Sequence, residues 1–441
     1  MNFIKNYQSK IVNGLRLAVF LVFVAQHIYG QPINDPMIQR RIETRMEYDR
    51  KLFQAINNSA RSNRNQLWQQ YEAMRDYQYM HLSEMGDPVA TALLNSLGTV
   101  STNTATSPPR SGFDFYVSTT GNDSNPGTQK LPFRTIQKAI DVSSANVGFT
   151  FIKVEDGTYT ECLNITSNSP YYTRYIRITG NCNYPDSVII DGGGNGTVVS
   201  LNNTSFSLYG IKITGGKDGN QAVIKLENSV IETLNVIIAN NNSNRAIIGP
   251  DETINYGYSC ILLFNTLIYD NKVNGGSEDG IIVGNSSTIS LNNTTVTDNT
   301  APATIVQKNW CETNVTNSIL YNAHSNPEFK DVTNDTYFNI GYSYVQNYMQ
   351  LTSGGYWTFY NMIEQAPSFV SSQQNLYQLA DGSSGIDDGD PEAWYYDAYQ
   401  PPAKGGIRCD IGAYGGPWVT NQPYQIAPPP PVIHGPDTIC P

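Results

Sequence analysis

Hydrophobic and polar positions fall into two regimes along the chain. After Gln31, apolar residues recur at three- and four-residue steps: Ile38, Ile42 and Met46, then Leu52, Phe53 and Ile56, then Leu67, Tyr71 and Met74. This is the period of an amphipathic helix and predicts an α-helical segment over 31–97. The poor helix formers from Asn57 to Asn63 interrupt it, so a helical hairpin is expected rather than one rod. Residues 98–112 lack periodicity and are rich in Thr, Ser and Pro, which reads as a linker.

From Phe113 the pattern changes to short β-rich runs that end in turn residues. Phe115, Tyr116 and Val117 form one run, and Thr150 to Val154 and Tyr175 to Thr179 form others, each closed by a turn. Between the first two runs, Ile136, Ala139 and Ile140 give Thr135 to Val142 one apolar face, as in a short helix. A stack of β-coils leaves an open core and unpaired backbone at its first coil, so this helix is expected to cap it.

Five segments between 205 and 325 align as a repeat: LYGIKITGG from Leu208, TLNVIIANN from Thr233, LFNTLIYDN from Leu263, LNNTTVTDN from Leu291 and VTNSILYNA from Val315. Their starts are 25, 30, 28 and 24 residues apart. The sixth position is apolar (Ile213, Ile238, Ile268, Val296, Leu320), and Gly, Asn or Asp follows two residues later (Gly215, Asn240, Asp270, Asp298, Asn322). A unit this short has no room for a helical crossover but suits one coil of two or three strands. The fold class expected is therefore all-β: a parallel β-helix, a solenoid with a short N-terminal capping helix, preceded by the α-helical segment. Asn at the third position (Asn235, Asn265, Asn293, Asn317) is expected to stack into an amide ladder at a bend, the alternative being a ligand-binding row.

The stretch FYVSTTGNDSNPGTQKLPFRTIQKAI, Phe115 to Ile140, with Val154 to Tyr159 after it, resembles the opening of secreted bacterial right-handed parallel β-helix proteins of the pectate-lyase-like superfold. Gly385 to Pro391 and Asp410 to Gly415 look like the closing coils of the same proteins, with Gly385 where Ala is usual. The resemblance brackets 113–418 and implies a right-handed hand. Residues 419–434 read as a Pro-rich linker. Residues 435–441 resemble the first strand of an immunoglobulin-like or polycystic-kidney-disease-like surface domain, which implies further C-terminal domains beyond this chain.

Charge and composition narrow the function. A formal net charge of −11 with scattered basic residues disfavours nucleic acid or an anionic membrane as partner. Lys5, Lys10 and Arg16 precede an apolar run from Leu17 to Ala25, with Gly30 as a small cleavage-site residue, so 1–30 reads as a signal peptide too short to span a bilayer. The expected location is secreted or cell surface. Export makes Cys162, Cys182, Cys260, Cys311, Cys409 and Cys440 candidates for disulfides, with about 15 pairings open.

Members of this superfold cleave acidic polysaccharides by β-elimination, with calcium on Asp and Glu and a Lys or Arg as base. The matching candidates here are Lys272 as base and Asp270, Asp279 and Asp298, near Glu278, as calcium ligands. Asp270 and Asp298 hold equivalent repeat positions, so adjacent coils would set them about 4.8 Å apart. Turn formation and solubility are the structural alternatives for these residues. Asp191 with Lys217 and Asp218 forms a second cluster, which a glycine-rich turn explains without a ligand. Neither the Gly-His-Gly of the related inverting hydrolases nor a Gly-x-Ser-x-Gly elbow is present. Tyr171, Tyr172, Tyr356 and Trp357 are candidate contacts for sugar rings. The favoured function is a carbohydrate-binding or adhesive module recognising a polysaccharide or cell-surface glycan. The alternative is a calcium-dependent lyase of uronate polysaccharides, and a third reading makes the β-helix a spacer.

Overall fold

The computed structural model describes residues 113–143, 148–167, 174–217, 219–250, 259–322, 327–348, 355–370, 377–391, 395, 397, 402–406 and 408–416. Contacts divide the chain into two units after Ser111, and all the described residues belong to the second. The expected signal peptide, helical segment, linkers and C-terminal domain start lie outside the described residues, as do Tyr171, Tyr172, Asp218 and Cys440.

Three parallel sheets wind around one core. Sheet A has ten strands, beginning with Phe115–Val117 and Gly148–Val154 and ending with Glu312–Thr316, Tyr337–Gly341 and Tyr356–Tyr360. Sheet B has eight, from Gly157–Thr160 to Tyr344–Val345, and sheet C has seven, from Leu163–Thr166 to Phe329–Asp331. The chain visits A, B and C in turn. Thus Val230–Leu234, Ile237–Ala239 and Ala246–Pro250 complete one coil, and Ser259–Phe264 begins the next beside Val230–Leu234. This is the right-handed parallel β-helix expected from the sequence, the hand being that of nearly all parallel crossovers of L-residues.

The repeat register holds residue for residue through its first six positions. Thr233 pairs with Leu208 and Leu263, Leu263 with Leu291, and Leu291 with Val315. The sixth-position residues Ile213, Ile238, Ile268, Val296 and Leu320 stack in the core, each fully buried, and each is worth roughly 1.5–3 kcal/mol of apolar burial. At the eighth position Gly215, Asn240, Asp270 and Asp298 share a left-handed backbone, which Gly, Asn and Asp tolerate best. The fifth segment slips by one: the Asn322 side chain accepts a hydrogen bond from the Asn299 backbone (2.9 Å), so it occupies the ninth position's place.

The capping helix spans Ile136–Val142, with Thr135 as N-cap and Ile136, Ala139 and Ile140 buried. The Glu161 carboxylate accepts hydrogen bonds from the Ile136 and Gln137 backbone (2.8 and 2.9 Å), satisfying two orphan donors of the first turn. Asp123 accepts from the Arg134 and Thr135 backbone and so fixes the entry into the helix.

Two expectations are corrected. The third-position asparagines do adopt the left-handed bend, but they do not form the amide ladder. Asn265 donates to the carbonyls of Ala413 and Gly415, Asn293 donates to that of Asp410, and Asn317 accepts from the Asp390 backbone. The ladder runs one turn later, at the ninth position, where Asn241, Asn271, Asn299 and Asn322 bond side chain to side chain at 3.0 Å, each nearly or fully buried. It ends on Glu328, whose carboxylate accepts from Asn322 and Thr304.

The second correction concerns Gly385 to Gly415, expected as closing coils. Among the described residues past Tyr360, the only strand pairing is an isolated bridge between Phe369 and Leu379. The described residues of this segment form a strap laid over the outside of sheet B. Ile411 packs on Ile319 and Tyr344, and Ala413 packs on Leu267 and Tyr269. Those outward residues are apolar, so without the strap they would face water, at a cost that explains its position.

Candidate functional site

The lyase constellation is only partly assembled. Asp270 and Asp298 are neighbours on successive coils, both exposed, and burial together with the Asp298 charge raises the Asp270 pKa. Asp298 accepts a hydrogen bond from the Tyr377 hydroxyl (2.7 Å). Asp279 is engaged elsewhere: it accepts from the Gly276 backbone (2.6 Å) and pairs with Arg245 (3.5 Å). Glu278 pairs with Lys308 (3.4 Å), and Lys272 lies exposed on the short strand Lys272–Val273. Among the described residues no group of three or more His, Cys, Asp or Glu side chains converges where it could hold a metal ion. The reason is local, because the longer turn before Gly280 draws Asp279 into its own capping bond. Asp191 likewise caps its glycine-rich turn through the Gly193 backbone (2.9 Å).

Among the described residues, the five cysteines expected as disulfide candidates are not joined in bridges with one another. Register separates one of the open pairings, Cys260 with Cys311. Cys260 aligns with Thr288 and Thr288 with Glu312, which puts Cys311 about two coil spacings, roughly 10 Å, from Cys260. Cys409 is buried in the strap against Asn293.

Strand parity divides the aromatic candidates. Trp357 faces the core, stacked on Phe338 with ring centres 3.8 Å apart and edge-on to Phe329, so it is a packing residue and not a sugar contact. Tyr356, one residue earlier, points outward and is 62% exposed. It stacks on Tyr337 of the preceding coil at 4.8 Å and 13°, with Tyr337 itself 47% exposed. Glu312 precedes Tyr337 in the same outward row, and the neighbouring row carries Asn314, Asn339 and Thr358. Asn314 donates to Glu312 (3.0 Å) and receives from Asn339 (3.4 Å), so these polar groups are held in place before any ligand arrives.

Trp310 stands at the corner where the chain enters this part of sheet A, 72% exposed. Its φ is +56°, and that of Asn309 is +53°, a left-handed pair that is unfavourable for a bulky side chain. The corner is pinned by hydrogen bonds from the Asn309 backbone to Thr333 (2.9 Å), from the Asn309 side chain to Asn285 (2.9 Å) and from the Trp310 backbone to Asp335 (3.2 Å). Trp310 and Tyr337 were legible in the sequence only as two of many aromatics; their shared corner follows from the register.

Where the same strands end, an open groove of about 510 Å³ separates the last coil from the strap. Tyr342, Asn361, Gln365, Ser384, Glu364 and Arg408 contribute to its walls. The Tyr342 backbone donates to the carbonyl of Tyr360 (3.2 Å), and the two rings meet edge to face. The opposite end of sheet A presents a different surface. Arg177, 1% exposed, lies against the rings of Phe151, Tyr209 and Phe113, while Glu232, which accepts from the Tyr209 hydroxyl (2.6 Å), is pushed up to about 7 by desolvation. This buried arginine is out of reach of a polymer in solution.

Three solved structures are similar to this chain. Escherichia coli YbhC is 15% identical over 55% of this chain and 70% of its own, with a TM-score of 0.27. A pectin methylesterase from carrot is 13% identical over 59% and 91%, with a TM-score of 0.29. A pectin methylesterase mutant in complex with a hexasaccharide is 11% identical over 56% and 82%, with a TM-score of 0.24. No curated protein matches. The family model DUF1565, described as a protein of unknown function, matches residues 119–352, which run from the first turns of the β-helix through the coil carrying Tyr337. The chain belongs to the DUF1565 family.

Proposed function

We propose that this protein is a secreted or cell-surface glycan-binding β-helix, and that it binds through the corner formed by Trp310, Tyr337 and Tyr356. The observation that carries the reading is the exposure of these three large aromatics at one corner of successive coils, beside polar groups already fixed by their own hydrogen bonds. Aromatic faces pack against the C–H faces of sugars, while amides and a carboxylate bond to hydroxyls, and both kinds of group are present. Rigidity contributes, since contacts fixed by the stacked coils lose little entropy on binding. Export rests on the pattern of residues 1–30. The dispersal of Asp279 and Glu278 into separate ion pairs counts against β-elimination at Lys272.

A glycan microarray probed with the protein and with Tyr337→Ala and Tyr356→Ala variants tests this. Binding to at least one glycan class, weakened about tenfold by either substitution, is expected; each removes a contact worth about 1.4 kcal/mol. Binding that both variants retain in full would refute the assignment of this corner.

A further inference from the structure

We infer that the ligand is a neutral polysaccharide whose chain lies along the strands of sheet A, from Tyr356 across Thr358 and into the groove beside Arg408. The inference deepens the glycan-binding reading and rests on it. Tyr356 begins the last strand and Tyr360 ends it, four residues or about 13 Å further on. Thr358 and, on the coil below, Asn339 lie exposed between them, so polar side chains lead from the corner to Tyr360, whose ring lies over Gly341 and meets that of Tyr342 in the groove wall. The groove's volume of about 510 Å³ lies within the range of sites that enclose small ligands, enough to hold the end of a sugar chain.

The charges select the class of chain. Glu312 and Asp335 flank the corner, and Glu364 and Asp388 flank the groove. The cation of the groove is Arg408, and two of its donors are already committed, to the carbonyls of Gly389 (2.7 Å) and Asp388 (3.2 Å). A uronate polymer would bring a carboxylate on each ring toward four carboxylates and one half-occupied guanidinium, which is repulsive on balance. Neutral sugars instead offer hydroxyl donors, which the carboxylates and the amide oxygens of Asn314, Asn339 and Gln365 can accept.

The test is isothermal titration calorimetry of the full chain with length-graded neutral oligosaccharides (from xylan, mannan and mixed-linkage glucan) and uronate oligosaccharides (from polygalacturonate and alginate). The variants are Tyr356→Ala, the groove-filling Ser384→Trp, and the surface double variant N361A/Q365A, which removes groove contacts without adding bulk. Neutral oligosaccharides are expected to bind more tightly with length. Both groove variants should weaken the longest about tenfold and leave the shortest unchanged, while Tyr356→Ala weakens all of them. Tyr356-dependent binding of uronates in preference to neutral chains, or long neutral chains indifferent to N361A/Q365A, overturns the inference and leaves the corner intact. Absence of Tyr356-dependent binding to every glycan removes the parent reading as well.

Discussion

Replacing Asn271 with Leu isolates the energetic role of the buried amide ladder. The side chain donates to the carbonyls of Ile238 (2.8 Å) and Tyr269 (2.9 Å) and to the Asn299 oxygen (3.0 Å), and its own oxygen accepts from the Asn241 backbone (3.1 Å) and side chain (3.0 Å). Leucine keeps the branched outline but is bulkier, so no cavity forms and overpacking adds to the polar cost. At least one N–H, that of Asn241, and one carbonyl lose their partner at a site 1% exposed. Each stranded group costs about 1–3 kcal/mol, giving a polar loss of about 2–6 kcal/mol. The exposed pair one turn further on, Asn274 to Asn242 (2.7 Å), is the matched control: Asn274→Ala should stay within about 0.5 kcal/mol of the parent. Urea unfolding of both variants and of the parent, followed by far-ultraviolet circular dichroism, gives the two differences. A loss below about 1 kcal/mol for Asn271→Leu, or equal losses for the two variants, would refute the idea that the ladder works by satisfying buried backbone.

Stability should also depend on pH, because burial raises Glu328 to about 7, Asp410 to about 7 and Asp397 to about 6. Each folded-state value lies above that of the unfolded chain, so the folded state holds more protons and the contribution is full at low pH and lost as pH rises through 6–7. Melting temperature should therefore fall from pH 5 to pH 8, and Glu328→Gln should remove a part of that slope on the order of 3 kcal/mol. Asn293→Ala, which strands the Asp410 carbonyl, should loosen the strap and speed proteolysis between Gly385 and Gly415 while the coils stay protected in hydrogen exchange. Reducing agent should leave the melting temperature of the β-helix unchanged, as the described cysteines share no bridges; a drop of several degrees would show a disulfide.

The register of the solenoid was legible because it obeys two strict periods: alternation along each strand, and a recurring left-handed bend that only Gly, Asn and Asp accept cheaply. Ile213, Ile238, Ile268, Val296 and Leu320 could therefore be stacked from sequence alone, and the capping helix followed from three apolar positions. The choice of ladder was not legible, since both the third and ninth positions carry Asn. What separates them is that the strap covers one corner and the core encloses the other. The strap resembles closing coils in its motifs, and its turns share their left-handed Gly and Asp positions, so sequence alone does not separate the two. Trp357 and Tyr356 looked alike as neighbours, and only strand parity, anchored by Phe338 inside and Tyr337 outside, tells core from surface. Of the candidate metal residues, Asp270 and Asp298 share a repeat position and lie side by side, whereas Asp279 lies outside the repeat and the turn before Gly280 decides where it points.

The most direct test of the account is the position of a bound oligosaccharide in crystals of the complex, grown with the tightest ligand found by titration. The account predicts a sugar ring on Tyr356 beside Tyr337, with the chain continuing past Thr358 toward Arg408. A sugar bound instead against Asp270, Lys272 and Asp298, with the Tyr356 corner empty, would contradict it.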